Sequence, residues 1–158
     1  MIRFTTIALT TALVALATQA MAQGSRVEVG VLECRGSTTS FIVGSVTELG
    51  CTFRGSDNSP PEAYHATIRR AGVDIGFPQQ VAVAWAVFAP TRGIQRGDLA
   101  GSYAGASASA TFGVGLGANA LIGGSDRSFI LQPLSVQAQE GLNLAVGFTS
   151  FQLRSTQG

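Results

Sequence analysis

Residues 97–124 read GDLAGSYAGASASATFGVGLGANALIGG. From Ala104 the even positions are Ala104, Ala106, Ala108, Ala110, Phe112, Val114, Leu116, Ala118, Ala120 and Ile122. The odd positions between them are Gly105, Ser107, Ser109, Thr111, Gly113, Gly115, Gly117 and Asn119. A period of two held this long outruns an ordinary strand of about five or six residues. It predicts one long bent strand or a pair of strands, apolar on one face and nearly bare on the other, and it sets the class as all-β. Gly113, Gly115, Gly117 and Asn119 lie on the bare face. They form a candidate contact surface on which an aromatic ring, a neighbouring strand or another chain can rest.

Strands are expected on both sides of this block. Downstream, Ser128 to Val136 reads as a strand whose Pro133 confines that point to an edge or a bulge. Leu142 to Leu153 reads as the closing strand. Upstream, Val81 to Ala89 (VAVAWAVFA) is apolar on both faces, as a strand covered on each side is, with Trp85 a core residue at its middle. Arg26 to Cys34 alternates Val27, Val29 and Val31 against Glu28, Gly30 and Leu32. Arg35 to Thr39 reads as the turn that ends it, followed by strands over Ser40 to Val46 and Glu48 to Phe53. Arg54 to Pro61 (RGSDNSPP) is a loop.

Glu62 to Ala71 admits two readings. Ser59-Pro60-Pro61-Glu62 gives a helix good termini, whereas Tyr64, Ala66 and Ile68 alternating with His65, Thr67 and Arg69 give a strand a good interior. Strand is preferred, since a lone two-turn helix in a β chain lacks intrinsic stability. The count is about eight strands at short spacing, the pattern of a β-sandwich or a small closed barrel.

The N-terminus has the form of an export signal: a positive start at Arg3, an apolar run from Ile7 to Ala17, and small residues at Ala20 and Ala22. Cleavage is expected after Ala22, leaving 23–158 as a single β-domain in the periplasm or outside the cell. No stretch reaches the ~18 unbroken apolar residues of a membrane-spanning helix. In an oxidising compartment Cys34 and Cys51 are expected to form a disulfide, since His65 is the only histidine and no second ligand pair exists for a metal.

The chain has ten basic residues, all arginine, and nine acidic ones. Without Arg3 the two signs balance, which gives no electrostatic case for nucleic acid. Gly115-Leu116-Gly117-Ala118-Asn119-Ala120 fits a loose dinucleotide fingerprint, but no helix-forming segment follows to receive a pyrophosphate. No Ser-His-Asp set or paired-carboxylate spacing emerges: Glu62, Asp74, Asp98 and Asp126 all sit near predicted turns, where acids are common. No catalytic, metal-binding or cofactor-binding residue is identified, and no cofactor is implied.

The segments VGVLECRGS, ELGCTFRG, PPEAYHATIRRAGVDIG and WAVFAPT, together with the long block from Gly97 onward, resemble a bacterial exported family called domain of unknown function 992. The resemblance runs from about Val27 to Arg154. It implies a small exported single domain and carries no activity or catalytic residues. The glycine-rich strands are also similar in character to SYLF lipid-binding modules, without a motif shared residue by residue.

The expected function is that of a non-enzymatic exported β-domain that binds or packs against an envelope protein or lipid, with homo-oligomerisation open. The alternative is a lipid- or membrane-associated β protein, either a lipid-binding module or a small outer-membrane barrel. An enzyme with an unrecognised site is third. Purified mature protein should carry no thiol that an alkylating reagent can reach under denaturing, non-reducing conditions. Labelling of both cysteines would refute the bond.

Overall fold

Alternation of β-branched and aromatic residues with small and polar ones builds eight strands in the computed structural model, which describes residues 26–71, 79–105, 120–134 and 149–157. They are β1 (Val27–Phe41), β2 (Gly44–Gly55), β3 (Glu62–Ala71), β4 (Gln79–Ala89), β5 (Gly101–Gly105), β6 (Leu121–Gly123), β7 (Phe129–Pro133) and β8 (Thr149–Ser155). Every neighbouring pair is antiparallel, and the sheet closes into a barrel in the order β1-β2-β3-β8-β5-β6-β7-β4. Of the two architectures expected, the barrel is therefore the one formed. Among the described residues the helical turn is a single 3-10 turn, Ser125–Arg127.

Inward positions on successive strands fill the interior. Leu32, Leu49, Phe53, Tyr64, Trp85, Val87, Leu131, Phe151 and Leu153 are all buried. The Trp85 ring meets Phe151 edge-on at 5.6 Å, and Tyr103 meets the same ring at 5.5 Å. Edge-to-face pairs of this kind contribute about 0.5–1.5 kcal/mol each beyond their buried area. The Trp85 Nε1–H finds no acceptor among the described residues. On the opposite, outer side of the sheet, Ala120, Ile122 and Ile130 form a second buried cluster with Phe88 against it. Together with buried Ala86, it gives the end of β4 two covered faces.

Two details of β1 depart from the expectation. The strand does not stop at Arg35: it pairs with β2 from Gly30↔Gly55 to Phe41↔Gly44, so Arg35 to Thr39 is ladder and the turn lies at Ile42–Val43. Polar residues here mark a solvated or lightly buried face, and Thr38 and Thr47 hydrogen-bond across the pair at 2.7 Å. Consequently 40–46 and 48–53 are not two strands; they are the tip of one hairpin and the body of its second arm. The register against β4 also slips between Glu28 and Gly30, leaving Val29 as the extra residue of a bulge. Val29 and Leu32 both become buried, while Val31 turns to the half-exposed outer side.

Glu62–Ala71 is a strand over its whole length. The glycine-rich block resolves into a pair, with β5 and β6 joined through Tyr103↔Gly123, Ala104↔Ile122 and Gly105↔Leu121. Gly113, Gly115, Gly117 and Asn119, the proposed bare face, lie outside the described residues, as do the export signal and the expected cleavage point.

Closing a small barrel brings neighbouring strands close together, and at Gly36 β1 leaves no room for a side chain beside β2. A Cβ at Gly36 would stand 1.9 Å from the Glu48 carbonyl oxygen and 2.9 Å from the Leu49 Cα. Both are backbone atoms, which cannot move aside without shifting the ladder. Gly36→Ala should therefore lower stability by about 1–3 kcal/mol, the usual cost of overpacking. A chemical-denaturation midpoint equal to that of the wild type would show that the contact is looser than described.

Candidate functional site

The connectivity sorts the chemistry of this chain onto two different ends of the barrel. One end gathers the β2–β3 loop, the long 90–100 crossing from β4 to β5, and the 3-10 turn between β6 and β7. Leu99 from the crossing is fully buried in the barrel core, with Ile94 and Ala100 packed beside it. Buried polar ties hold this crossing down. The Glu62 carboxylate accepts the Tyr64 hydroxyl at 2.6 Å and the Gly97 amide at 3.1 Å through the same oxygen. The Tyr103 hydroxyl donates to the Leu99 carbonyl at 2.6 Å. The Asp98 side chain accepts the Gln95 amide at 2.8 Å, and its carbonyl accepts from Ser125. Burial, and for Tyr64 also the Glu62 carboxylate, pushes both phenols well above the ordinary tyrosine value. They remain neutral donors at physiological pH.

Of the four carboxylates that a catalytic reading would draw upon, three lie at this end of the barrel. Glu62 and Asp98 anchor the crossing. Asp126 lies in the 3-10 turn at positive φ, and Asp74 lies outside the described residues. His65 sits on the outer wall between Gly50 and Arg154, across the sheet from the buried Glu62 and Tyr64. Among the described residues no three metal-ligating side chains come together. Ala120, the last residue of the dinucleotide-like fingerprint, is followed by β6 and not by a helix.

Cys34 and Cys51 face each other on β1 and β2, with a Cα–Cα distance of 4.0 Å and their sulfurs joined. Both are buried in the core. The bond staples the hairpin midway between the crossing and the hairpin tip.

The opposite rim carries that tip. Phe41, Ile42 and Val43 are 53%, 79% and 80% exposed, a run of three large apolar residues facing solvent. Sequence reading misses them because the turn lacks glycine, asparagine or proline, the residues that normally announce one. The available signal was the Phe-Ile-Val island itself, set between Ser/Thr-rich stretches that pair as polar ladder. Arg70 and Arg69 follow within the next ladder positions, opposite Ser45 and Val46. A shallow groove of about 430 Å³ lies elsewhere, between β5 and β8, lined by Ala100, Ser102, Gln152 and Arg154. Its walls are open and its arginine leans on Gln152.

Charged side chains occupy much of the outer wall of the described strands. Glu28, Glu33, Arg35, Glu48, Arg54, Arg69 and Arg154 are all exposed on it, against an apolar interior. A membrane-spanning barrel needs the reverse, an apolar outside around a polar lumen.

Residues 13–154 match the family described as protein of unknown function (DUF992), and the chain belongs to it. No curated protein and no solved structure matches the chain.

The Glu62 tie can be measured. Glu62→Ala strands the Tyr64 hydroxyl and the Gly97 amide, and should cost about 1–3 kcal/mol. Adding Tyr64→Phe should cost less than the sum of the two single changes, because both remove one interaction. Strict additivity in denaturant melts would mean that the two side chains act independently.

Proposed function

We propose that the chain is an exported, non-catalytic binding barrel that engages another component of the cell envelope through its hairpin rim. One observation carries this reading: among the described residues the two ends of the barrel are finished differently. Buried hydrogen bonds and an inserted leucine secure one end, while the other presents three consecutive exposed apolar residues. Isolated exposed apolar residues are ordinary on protein surfaces, but a contiguous run is the mark of an interaction site. The polar outer wall favours a chain that is not itself inserted across a bilayer. Export rests on the form of the N-terminus and on the paired cysteines.

The reading is tested in the native host with a photo-crosslinking amino acid at position 42, compared with the same group at position 58 on the opposite end. Position 42 should give an adduct with an envelope component, protein or lipid, and position 58 should give none. Absence of any adduct from position 42, in a chain that is exported and folded, overturns the assignment.

A further inference from the structure

Turn chemistry makes the hairpin tip stand out. Two-residue turns between antiparallel strands favour Asn, Asp and Gly, whose backbones take the required conformations and whose side chains suit water. Here Ile42 and Val43 occupy the turn, both β-branched, both about four-fifths exposed, with Phe41 beside them. Neither adopts positive φ. The hydrophobic effect gives Ile42 and Val43 little in the isolated barrel, since both stay about four-fifths in water. A local rule broken without gain to the fold is the pattern expected at a functional site.

The charges behind the tip indicate what it meets. Arg69 lies opposite Val46, three ladder positions beyond Val43, or about 10 Å back at ~3.4 Å per residue. Arg70, opposite Ser45, is one position nearer. Among the described residues neither joins a carboxylate in an ion pair, the one ion pair being Arg54–Glu33. Glu48, the first acid among the described residues back from the tip, lies beyond both arginines, opposite Thr67. Along the described β2–β3 ladder the order outward is therefore Glu48, then Arg69 and Arg70 on the two faces of β3, then the apolar tip. A bilayer surface carrying acidic lipids presents the complement: an apolar interior covered by a negative headgroup layer. Interfacial apolar groups bury about 5–10 Å into that boundary. This is the depth at which Arg69 and Arg70 reach phosphate while their stems lie along the headgroups.

We propose that the Phe41-Ile42-Val43 tip inserts into the headgroup–acyl boundary of an anionic bilayer, with Arg69 and Arg70 gripping lipid phosphates. This rests on the rim being the binding surface, and it names the component as lipid. The barrel stays outside the membrane and anchors by one hairpin.

The test uses the full mature chain and sedimentation with vesicles of phosphatidylcholine alone or mixed with phosphatidylglycerol. Wild type should bind the mixed vesicles and bind the neutral ones more weakly, with affinity falling as salt is raised. The double change Ile42→Asn with Val43→Gly replaces the apolar turn with a polar and a small residue that two-residue turns commonly carry. It should leave denaturant stability equal or higher while lowering vesicle affinity at least tenfold. Arg69→Gln should cost about fivefold on mixed vesicles and little on neutral ones, given ~1 kcal/mol per arginine at an anionic surface. Failure to bind either vesicle, or binding that the double change leaves intact, overturns the proposal. A dimer that the double change converts to monomer, without vesicle binding, overturns it in favour of a second copy on the tip. A protein adduct from position 42 with no vesicle binding overturns the lipid assignment and leaves the rim as the binding surface.

Discussion

Closure of the sheet through the β1–β4 ladder is the constraint on which everything else depends. It runs from Val27↔Ala89 to Thr38↔Gln79 and, with β2 on the other side of β1 and β7 beside Trp85–Phe88 of β4, joins the two ends of the sheet. An open edge would offer unpaired amides and carbonyls to any passing strand. An eight-stranded closed sheet also sets the interior width, just enough for side chains to fill. The inward residues of β4 and β8 are accordingly large, with Trp85 and Phe151 edge to face at the middle. Keeping apolar groups inward along a strand as long as β1 needs one correction of phase, and the bulge at Val29 supplies it. Without that extra residue, either Val29 or Leu32 would point to water.

Much of the architecture was legible because it rests on period-two patterning, which backbone geometry enforces. The all-β class and the strand over Glu62–Ala71 belong to this group, while the pairing of Cys34 with Cys51 follows from cysteine count and the expected compartment. What escaped had no local signature. The Ser37-Thr38-Thr39-Ser40 run resembles a turn by composition, yet cross-strand hydroxyl pairing such as Thr38 to Thr47 makes it ladder. The true turn at Ile42–Val43 has the composition of a strand. The bulge depends on how β1 meets β4, where Glu28 pairs with Phe88 and Gly30 with Val87, so no window around Val29 contains it. Burial of Glu62 depends likewise on the arrival of Gly97.

The candidate site shows the same division. Sequence patterning drew attention to glycines in the 106–119 region, whereas the described structure draws it to three apolar residues that patterning had assigned to the inside of a strand. Exposure, not composition, separates the two cases. A Phe-Ile-Val triplet is unremarkable until the ladder carries it past the described ends of β3 and β4. The contrast with the other end sharpens the point, since there a buried carboxylate and two phenols are each given partners and an apolar residue is drawn inward.

The position of β8 has a consequence for the order in which the molecule comes into being. Around the barrel this last strand lies between β3 and β5, elements made much earlier during synthesis. Until residues 149–155 have emerged, β3 keeps one side of its ladder unmatched and β5 lacks its neighbour, so the cylinder cannot shut. Strand pairings far apart along the chain form slowly, because the intervening segment loses its freedom before any contact rewards it. The β1–β2–β3 meander can assemble from local contacts; the seam at β8 waits for residues 149–155. A ribosome-bound or truncated product thus carries exposed edges that the finished protein lacks, and its solubility rests on whatever shields those edges in the interval.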